Sequence, residues 1–181
     1  MNVYLIGDLD EPMIHSVVKE ILEAYEPVDL FVSSYGGINL GAVAIANAMR
    51  LSEYPVNTHA LGATYSSGAT IVAAGTGKRT AYEGSRFMLH EIDVTPQREF
   101  SASRLLKEGE QTVAEFLALA DLMSKFTRQP LHNVKADMRE CRWFTEREAM
   151  KYGLVDEVKM MDGKKIRDHH RKVRGFRNDT S

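Results

Sequence analysis

Two polar residues that follow apolar stretches have the side chains needed for nucleophilic catalysis. Ser66 begins the run Ser66-Ser67-Gly68, which separates a predicted strand from a predicted helix. A hydroxyl at the start of a helix lies among free backbone N–H groups, which suits a nucleophile. Capping of the helix is the common alternative role for such a serine. His90 ends the apolar stretch FMLH and could supply the general base, provided that the sheet brings it to the same edge as Ser66.

Gly36 and Gly37 form a second break between a predicted strand and a predicted helix. Glycines at such a break leave backbone N–H groups accessible, and these groups can stabilise developing negative charge. When the pair is taken alone, a tight turn without chemistry is the favoured explanation. Both breaks lie at strand ends, where functional groups can converge.

Alternating strands and helices must position these residues. The predicted strands span residues 3–6, 29–33, 56–61, 79–82, 86–90 and 155–158. The predicted helices span residues 12–25, 40–50, 103–126, 130–138 and 146–153, with a short one that ends near residue 74. Strands that alternate with helices imply right-handed crossovers and a mainly parallel sheet.

The helix predicted over about residues 103–126 is long for a chain of 181 residues. At 1.5 Å per residue it would extend for about 35 Å. Its apolar stripe consists of Leu105, Leu106, Val113, Phe116, Leu117, Ala120 and Met123. A projecting helix would leave much of this stripe in water unless another subunit covers it. We therefore expect an oligomer rather than a monomer.

The composition indicates a globular, cytoplasmic protein. Hydrophobic residues make up 44% of the chain and charged residues 27%. The single cysteine, Cys141, excludes an intramolecular disulfide, and no Cys/His cluster has the spacing of a structural zinc site. The sequence contains no secretory signal and no apolar run long enough to span a bilayer, so no membrane contact is expected.

The charge is unevenly distributed along the chain. Residues 1–158 carry 15 basic and 22 acidic side chains, whereas residues 159–177 carry 8 basic and 2 acidic ones. We predict one domain over residues 1–158 and a mobile basic tail over residues 159–181. Binding of the tail to nucleic acid is the less favoured alternative, since Phe176 is its only aromatic residue.

Four ordered segments resemble the ClpP family of serine peptidases, the proteolytic subunit of the Clp protease. They are VSSYGGINLGAVAIANAM, GATYSSGATIVAAGTGKR, SRFMLHE and FTEREAMKYGLVDEV, and the match is collinear from about residue 3 to residue 158. The resemblance implies an α/β fold, a ClpP/crotonase-like spiral of β-β-α units with a projecting long helix. The short, divergent form resembles variants carried by phages.

The resemblance assigns roles to four residues. Ser66 corresponds to the nucleophile and His90 to the general base. The backbone N–H groups of Gly37 and Ser67 correspond to the oxyanion hole. No metal or organic cofactor is implied.

The third position of the catalytic triad departs from the family. The family has an aspartate shortly before the closing helix, and counting back from KYGLVDEV without a gap places Cys141 there. A neutral thiol cannot stabilise an imidazolium as a carboxylate does. Glu140 and Asp137 are nearby acids that could substitute. The resemblance therefore implies weak peptidase activity unless one of these acids serves.

The predicted function is that of a serine-type endopeptidase that cleaves peptides or unfolded proteins within a homo-oligomeric ring, a heptamer or double ring by resemblance. A catalytically weak or inactive ring or scaffold subunit is the alternative that the lost acid favours. A crotonase-type acyl-CoA enzyme is less favoured, since that chemistry usually relies on carboxylates. The family's N-terminal helix and pore loops, which engage an AAA+ ATPase, have no counterpart in this sequence, so an ATPase partner stays open.

Overall fold

The computed structural model describes residues 1–93 and 101–162. The strands are β1 (Asn2–Ile6), β2 (Val28–Ser34), β3 (Val56–Tyr65), β4 (Arg79–Tyr82), β5 (Arg86–Leu89), β6 (Arg142–Thr145) and β7 (Glu157–Lys159). The helices are α1 (Glu11–Leu22), α2 (Asn39–Leu51), α3 (Ser67–Ala73), α4 (Ala102–Thr127), α5 (Leu131–Arg139) and α6 (Glu146–Tyr152). None of the helices in the described part of the chain is long and apolar enough to cross a membrane.

The seven strands of the described residues form one sheet that branches at β3. The main path runs β1-β2-β3-β4-β7, and β5 pairs with both β3 and β6. Since β3 is ten residues long, its residues 58–60 pair with β4 and its residues 63–65 pair with β5. All pairings are parallel except that of β5 with β6. The predicted α/β fold with a mainly parallel sheet is confirmed.

The core lies between the sheet and its crossover helices. Residues alternate between buried and accessible along β1 and β2, as strands with one covered face require. A Cβ atom on Gly41 of α2 would overlap the side chain of Ile14 of α1, so the small residue allows the two helices to pack closely. The close approach of α1 and α2 at Gly41 thus depends on the absence of a side chain there.

The long helix α4 is one residue longer at each end than the sequence predicts. Its buried residues begin only at Phe116 and continue through its second half. In the first half, the side chains of Leu105, Leu106 and Val113 are more than half exposed. The first half of α4 thus carries an apolar surface that the described residues leave exposed.

Two strands differ from the prediction. The sequence analysis did not predict β6, which is four residues long and has two exposed residues, Arg142 and Trp143. The last strand begins at residue 157 rather than 155, since its pairing with β4 starts with Glu157 opposite Thr80. Residues 94–100 and most of the predicted basic tail, from residue 163 onward, lie outside the described residues.

Arg79 joins four separate parts of the chain. Its Nη1 atom donates to the carbonyl oxygens of Ala73, Phe126 and Gly153, at 3.2, 3.1 and 2.8 Å. Its Nε atom donates to the Asp156 carboxylate at 3.1 Å. These hydrogen bonds hold the pKa of Asp156 below its ordinary value, against the opposing effect of burial. The ends of α3, α4 and α6 are thereby fixed relative to the sheet.

Candidate active site

Ser66 occupies the sharp turn between β3 and α3. Its backbone has φ 55° and ψ −122°, a conformation that costs a non-glycine residue on the order of 1–3 kcal/mol. Three backbone hydrogen bonds hold it there: the Ser66 N–H donates to the Met88 carbonyl at 2.8 Å, and the Ser66 carbonyl accepts from the N–H groups of Ala69 and Thr70 at 3.0 and 3.2 Å. The Ser66 side chain makes no capping hydrogen bond to α3. The helix-capping alternative therefore does not explain this serine.

His90 lies beside Ser66 because β3 and β5 are adjacent parallel strands. Tyr65 and Met88 pair near the carboxyl ends of these strands, and the chain then continues into Ser66 and His90 respectively. The Nε2 atom of His90 is 2.8 Å from the Oγ atom of Ser66. Nε2 can accept the hydroxyl proton when the other ring nitrogen, Nδ1, carries the N–H.

A carboxylate lies on the opposite side of the His90 ring. The Oδ2 atom of Asp93 is 3.3 Å from the Nδ1 atom of His90. The Asp93 side chain is 87% exposed in the isolated chain. Asp93 is not among the candidate residues expected from the sequence, since it stands in a polar segment without a helix or strand pattern. The only sequence signal is an acid three residues after the candidate base.

Asp137 is hydrogen-bonded elsewhere. Its carboxylate is buried and accepts hydrogen bonds from Arg142 Nη1 and from the Tyr152 hydroxyl, both at 2.7 Å. The hydrogen bond to Asp137 raises the pKa of Arg142 above its ordinary value. Burial, followed by the hydrogen bond to Asp137, raises the pKa of Tyr152. Asp137 thus fastens α5 to β6 and α6, and among the described residues it has no contact with His90.

Cys141 lies at the position that the pairing of β5 with β6 places opposite His90. The antiparallel pairing of β5 with β6 joins Leu89 to Arg142, so one further step places Cys141 opposite His90. Cys141 has φ 53° and an exposed free thiol. The carboxylate of Glu140, at the end of α5, has no ion-pair partner within the described ranges. The structure therefore brings Ser66 and His90 together, and the acid beside His90 is Asp93.

Two backbone N–H groups near Ser66 have no acceptor among the residues that the structure describes. One belongs to Ser67, the first residue of α3. The other belongs to Gly37, whose neighbours bond to Leu9: the Leu9 N–H donates to the Gly36 carbonyl, and the Leu9 carbonyl accepts from the Ile38 N–H. A Cβ atom on Gly37 would overlap the Leu9 backbone, and its φ of 142° suits only glycine.

The side chain of Ser67 joins the two loops that carry these N–H groups. Ser67 is 1% exposed. Its Oγ atom donates to the Gly37 carbonyl at 3.2 Å and is 3.0 Å from the Asn39 Oδ1 atom. A hydroxyl that is buried and hydrogen-bonded in this way has a structural role, whereas the Ser66 hydroxyl faces His90.

An apolar cavity of about 130 Å³ lies beside these loops, between α2 and α4. It is lined by Asn39, Leu40, Val43, Ile92, Glu115, Ala118, Leu119 and Leu122. Two lining residues connect it with the site: Asn39 contacts Ser67, and Ile92 lies between His90 and Asp93 in the chain. The cavity is large enough for an apolar side chain, and these two residues link it to the loops that carry Ser67 and His90.

This arrangement is suited to acyl transfer through a covalent serine ester. A hydroxyl in contact with an imidazole can act as a nucleophile, and free N–H groups beside it can stabilise an oxyanion. Within residues 1–93 and 101–162, no group of three or more His, Cys, Asp or Glu side chains is arranged to hold a metal ion.

Comparison with known proteins identifies the family of the chain. A family model described as Clp protease matches residues 1–162. The ATP-dependent Clp protease proteolytic subunit of Pleurastrum terricola is 31% identical over 162 residues, which cover 86% of this chain and 82% of that protein. Proteolytic subunit 1 of Mycobacterium leprae is 30% identical over 164 residues, which cover 86% of this chain and 80% of that protein. These matches confirm the resemblance found in the sequence, and the chain belongs to the Clp protease family.

Proposed function

We propose that the chain is a serine-type endopeptidase that cleaves peptides and unfolded proteins inside a ring of identical subunits. The observation that carries the proposal is the 2.8 Å contact between Ser66 Oγ and His90 Nε2 at the ends of two adjacent strands. Ser66 is the nucleophile and His90 is the general base. The N–H groups of Gly37 and Ser67 form the oxyanion hole.

The reaction follows from these positions. His90 Nε2 takes the proton of the Ser66 hydroxyl while Oγ attacks the carbonyl carbon of the scissile peptide bond. The carbonyl oxygen becomes negatively charged, and the N–H groups of Gly37 and Ser67 stabilise it. His90 then gives its proton to the leaving amine, which leaves an acyl ester on Ser66. A water molecule, deprotonated by His90, hydrolyses the ester and restores the serine.

The apolar cavity beside the site sets the preferred substrate. Its lining residues Leu40, Val43 and Leu119 favour an apolar side chain on the residue whose carbonyl is attacked. Asn39 joins the cavity to Ser67, so a side chain seated there also brings its carbonyl towards the oxyanion hole.

In the proposed ring, a neighbouring subunit buries the apolar side chains that are exposed on the first half of α4. Leu105, Leu106 and Val113 are exposed in one chain, and burying apolar surface between subunits contributes about 25 cal/mol per Å². The relatives are named proteolytic subunits of ATP-dependent proteases. We extend the proposal to an ATPase partner that is needed for folded substrates, while small peptides are cleaved without nucleotide.

Labelling with a fluorophosphonate, which reacts with activated serines, tests the proposal. Peptide mapping should find the label on Ser66, and both labelling and peptide hydrolysis should be lost in Ser66→Ala. Ser67→Ala is the matched control and should keep the label. Labelling that survives Ser66→Ala but is lost in Ser67→Ala would contradict the assignment.

Two other results would overturn the proposed activity. An intact ring with neither labelling nor hydrolysis would favour the inactive scaffold subunit, the alternative that Cys141 raises. Turnover of acyl-CoA thioesters without peptide hydrolysis would favour the crotonase-type enzyme.

A further inference from the structure

We propose that Asp93 is the positioning residue that replaces the triad aspartate missing at position 141. This inference rests on the proposed function of Ser66 and His90. Asp93 accepts a hydrogen bond from the Nδ1–H group of His90, so it holds the ring in the tautomer whose Nε2 can take the Ser66 proton. It acts through His90 and does not touch the substrate.

The tautomer of His90 that can accept the Ser66 proton carries its N–H on Nδ1, and this N–H needs a hydrogen-bond acceptor. A neutral imidazole carries one N–H, and Nε2 must be the unprotonated nitrogen to accept from Ser66 Oγ at 2.8 Å. The Nδ1 N–H then needs an acceptor, and Asp93 Oδ2 is 3.3 Å away. Catalytic hydrogen bonds are often longer in the free enzyme and shorten when substrate binds.

The other nearby acids have different partners or positions. Asp137 is held by Arg142 and Tyr152. The carboxylate of Glu91 lies 3.9 Å from Arg139 of α5. Among the described residues, Asp93 is the carboxylate in contact with the His90 ring.

The segment that carries Asp93 is anchored by its neighbour. Ile92 is partly buried against the core and lines the apolar cavity between α2 and α4. A substrate side chain in that cavity would pack against Ile92 and so restrict the main chain immediately before Asp93. Occupation of the cavity thereby favours the contact between Asp93 and His90.

The exposure of Asp93 limits the size of its effect. Loss of a buried triad acid costs about 10⁴-fold in kcat. Asp93 is 87% exposed, and water weakens the attraction between exposed charges. We expect Asp93→Asn to lower kcat for a small peptide by about 10- to 100-fold, with KM nearly unchanged, since its role lies in orientation and not in binding.

Rescue variants separate this role from a structural one. Asp93→Glu keeps the carboxylate and should recover part of the activity. Adding Cys141→Asp to Asp93→Asn should also recover activity, since position 141 lies opposite His90. Cys141→Asp alone should change little, because Asp93 already serves. Glu91→Gln is the control: it removes the same charge from the same segment but faces Arg139.

A tautomer measurement makes the test independent of turnover. In protein labelled with ¹⁵N-histidine, the ring ¹⁵N shifts of His90, assigned by their loss in His90→Gln, should report an Nδ1-protonated ring in the parent and a mixture in Asp93→Asn. Unchanged shifts together with unchanged kcat in Asp93→Asn would overturn the role of Asp93, while Ser66 labelling would leave the proposed function standing. A parent that shows the Nδ1-protonated tautomer but no reaction at Ser66 would instead contradict the proposed function.

Discussion

Gly36 lies against Ser66 so closely that a Cβ atom on Gly36 would come within 2.8 Å of the Ser66 Cβ atom and 3.3 Å of its Oγ atom. Gly36 also has φ 110°, which L-residues rarely adopt. The loop that carries the proposed oxyanion donor Gly37 is thus in direct contact with the proposed nucleophile. Any side chain at position 36 must displace Ser66, the loop, or both.

Gly36→Ala should therefore separate activity from stability. We expect kcat to fall by at least about 100-fold, because a displacement of about 1 Å can misplace a nucleophile to that extent. The free energy of unfolding should fall by about 1–3 kcal/mol from backbone strain. Gly84→Ala is the control, since Gly84 also has a positive φ (86°) but has nothing within 4 Å of an added Cβ atom. A Gly36→Ala variant as active as Gly84→Ala would contradict the close contact.

Filling the apolar cavity should change substrate preference. Ala118→Leu adds a larger side chain to the lining of the cavity. For peptides with Leu or Phe before the scissile bond, kcat/KM should fall about tenfold or more relative to peptides with Ala there. Ala114→Leu places the same side chain one turn earlier on α4, away from the cavity, and should leave the preference as it is. Equal losses for all the peptides would argue against a cavity that holds the substrate side chain.

Charges on the first half of α4 should dissociate the ring. Leu106→Asp and Val113→Asp each place a carboxylate on apolar surface that the ring is proposed to bury, and burial of an unpaired charge is costly. Sedimentation velocity at micromolar concentration should show the parent as a large assembly and the variants as smaller species. Lys107→Glu, a charge change on the same exposed half of the helix, is the control. A parent that sediments as a monomer would refute the ring.

The pair of Arg79 and Asp156 should make stability depend on pH. The pKa of Asp156 lies below its ordinary value in the folded chain, so the pair contributes stability above the unfolded-state pKa near 4, and this contribution is lost as the pH falls through the folded-state pKa. At pH 7, Asp156→Asn should lower the free energy of unfolding by about 1–2 kcal/mol, because hydrogen bonds to a charged group are lost.

Urea denaturation at several pH values measures this effect. The difference between the parent and Asp156→Asn should shrink as the pH falls below about 4. Glu157→Gln is the control, since the Glu157 carboxylate pairs with the exposed Lys78 and should matter less. A difference that stays constant down to pH 2 would show that the charge of Asp156 is not its source.

The sequence was sufficient to predict that Ser66 and His90 could lie at one edge of the sheet, and to predict most of the strands and helices that carry them. Both residues end apolar strands, and parallel strands bring their carboxyl ends to one edge. Asp93 could not be found in this way, because an exposed acid in a segment without periodicity leaves no pattern. The strand β6 was also missed: with Arg142 and Trp143 exposed, only the pairing with β5 distinguishes it from a loop.

The candidate acids for the third triad position also could not be ranked from the sequence. Spacing alone made Asp137 as good a candidate as Glu140, since both stand near position 141. Only the packed structure shows that Asp137 accepts hydrogen bonds from Arg142 and Tyr152. Partners that come from separate helices and strands cannot be read from the spacing along the chain.

The hydrogen bonds of Arg79 also bear on how the chain is synthesised. Three of its partners, Phe126, Gly153 and Asp156, come from the second half of the chain. They can accept hydrogen bonds from Arg79 only after that part of the chain has been synthesised and has left the ribosome. Until then the guanidinium of a nascent chain must stay hydrated, and the ends of α3 and β4 remain loosely held. A product truncated before residue 153 would lack the carboxylate of Asp156 and the carbonyl of Gly153, so its Arg79 guanidinium would keep only part of these hydrogen bonds.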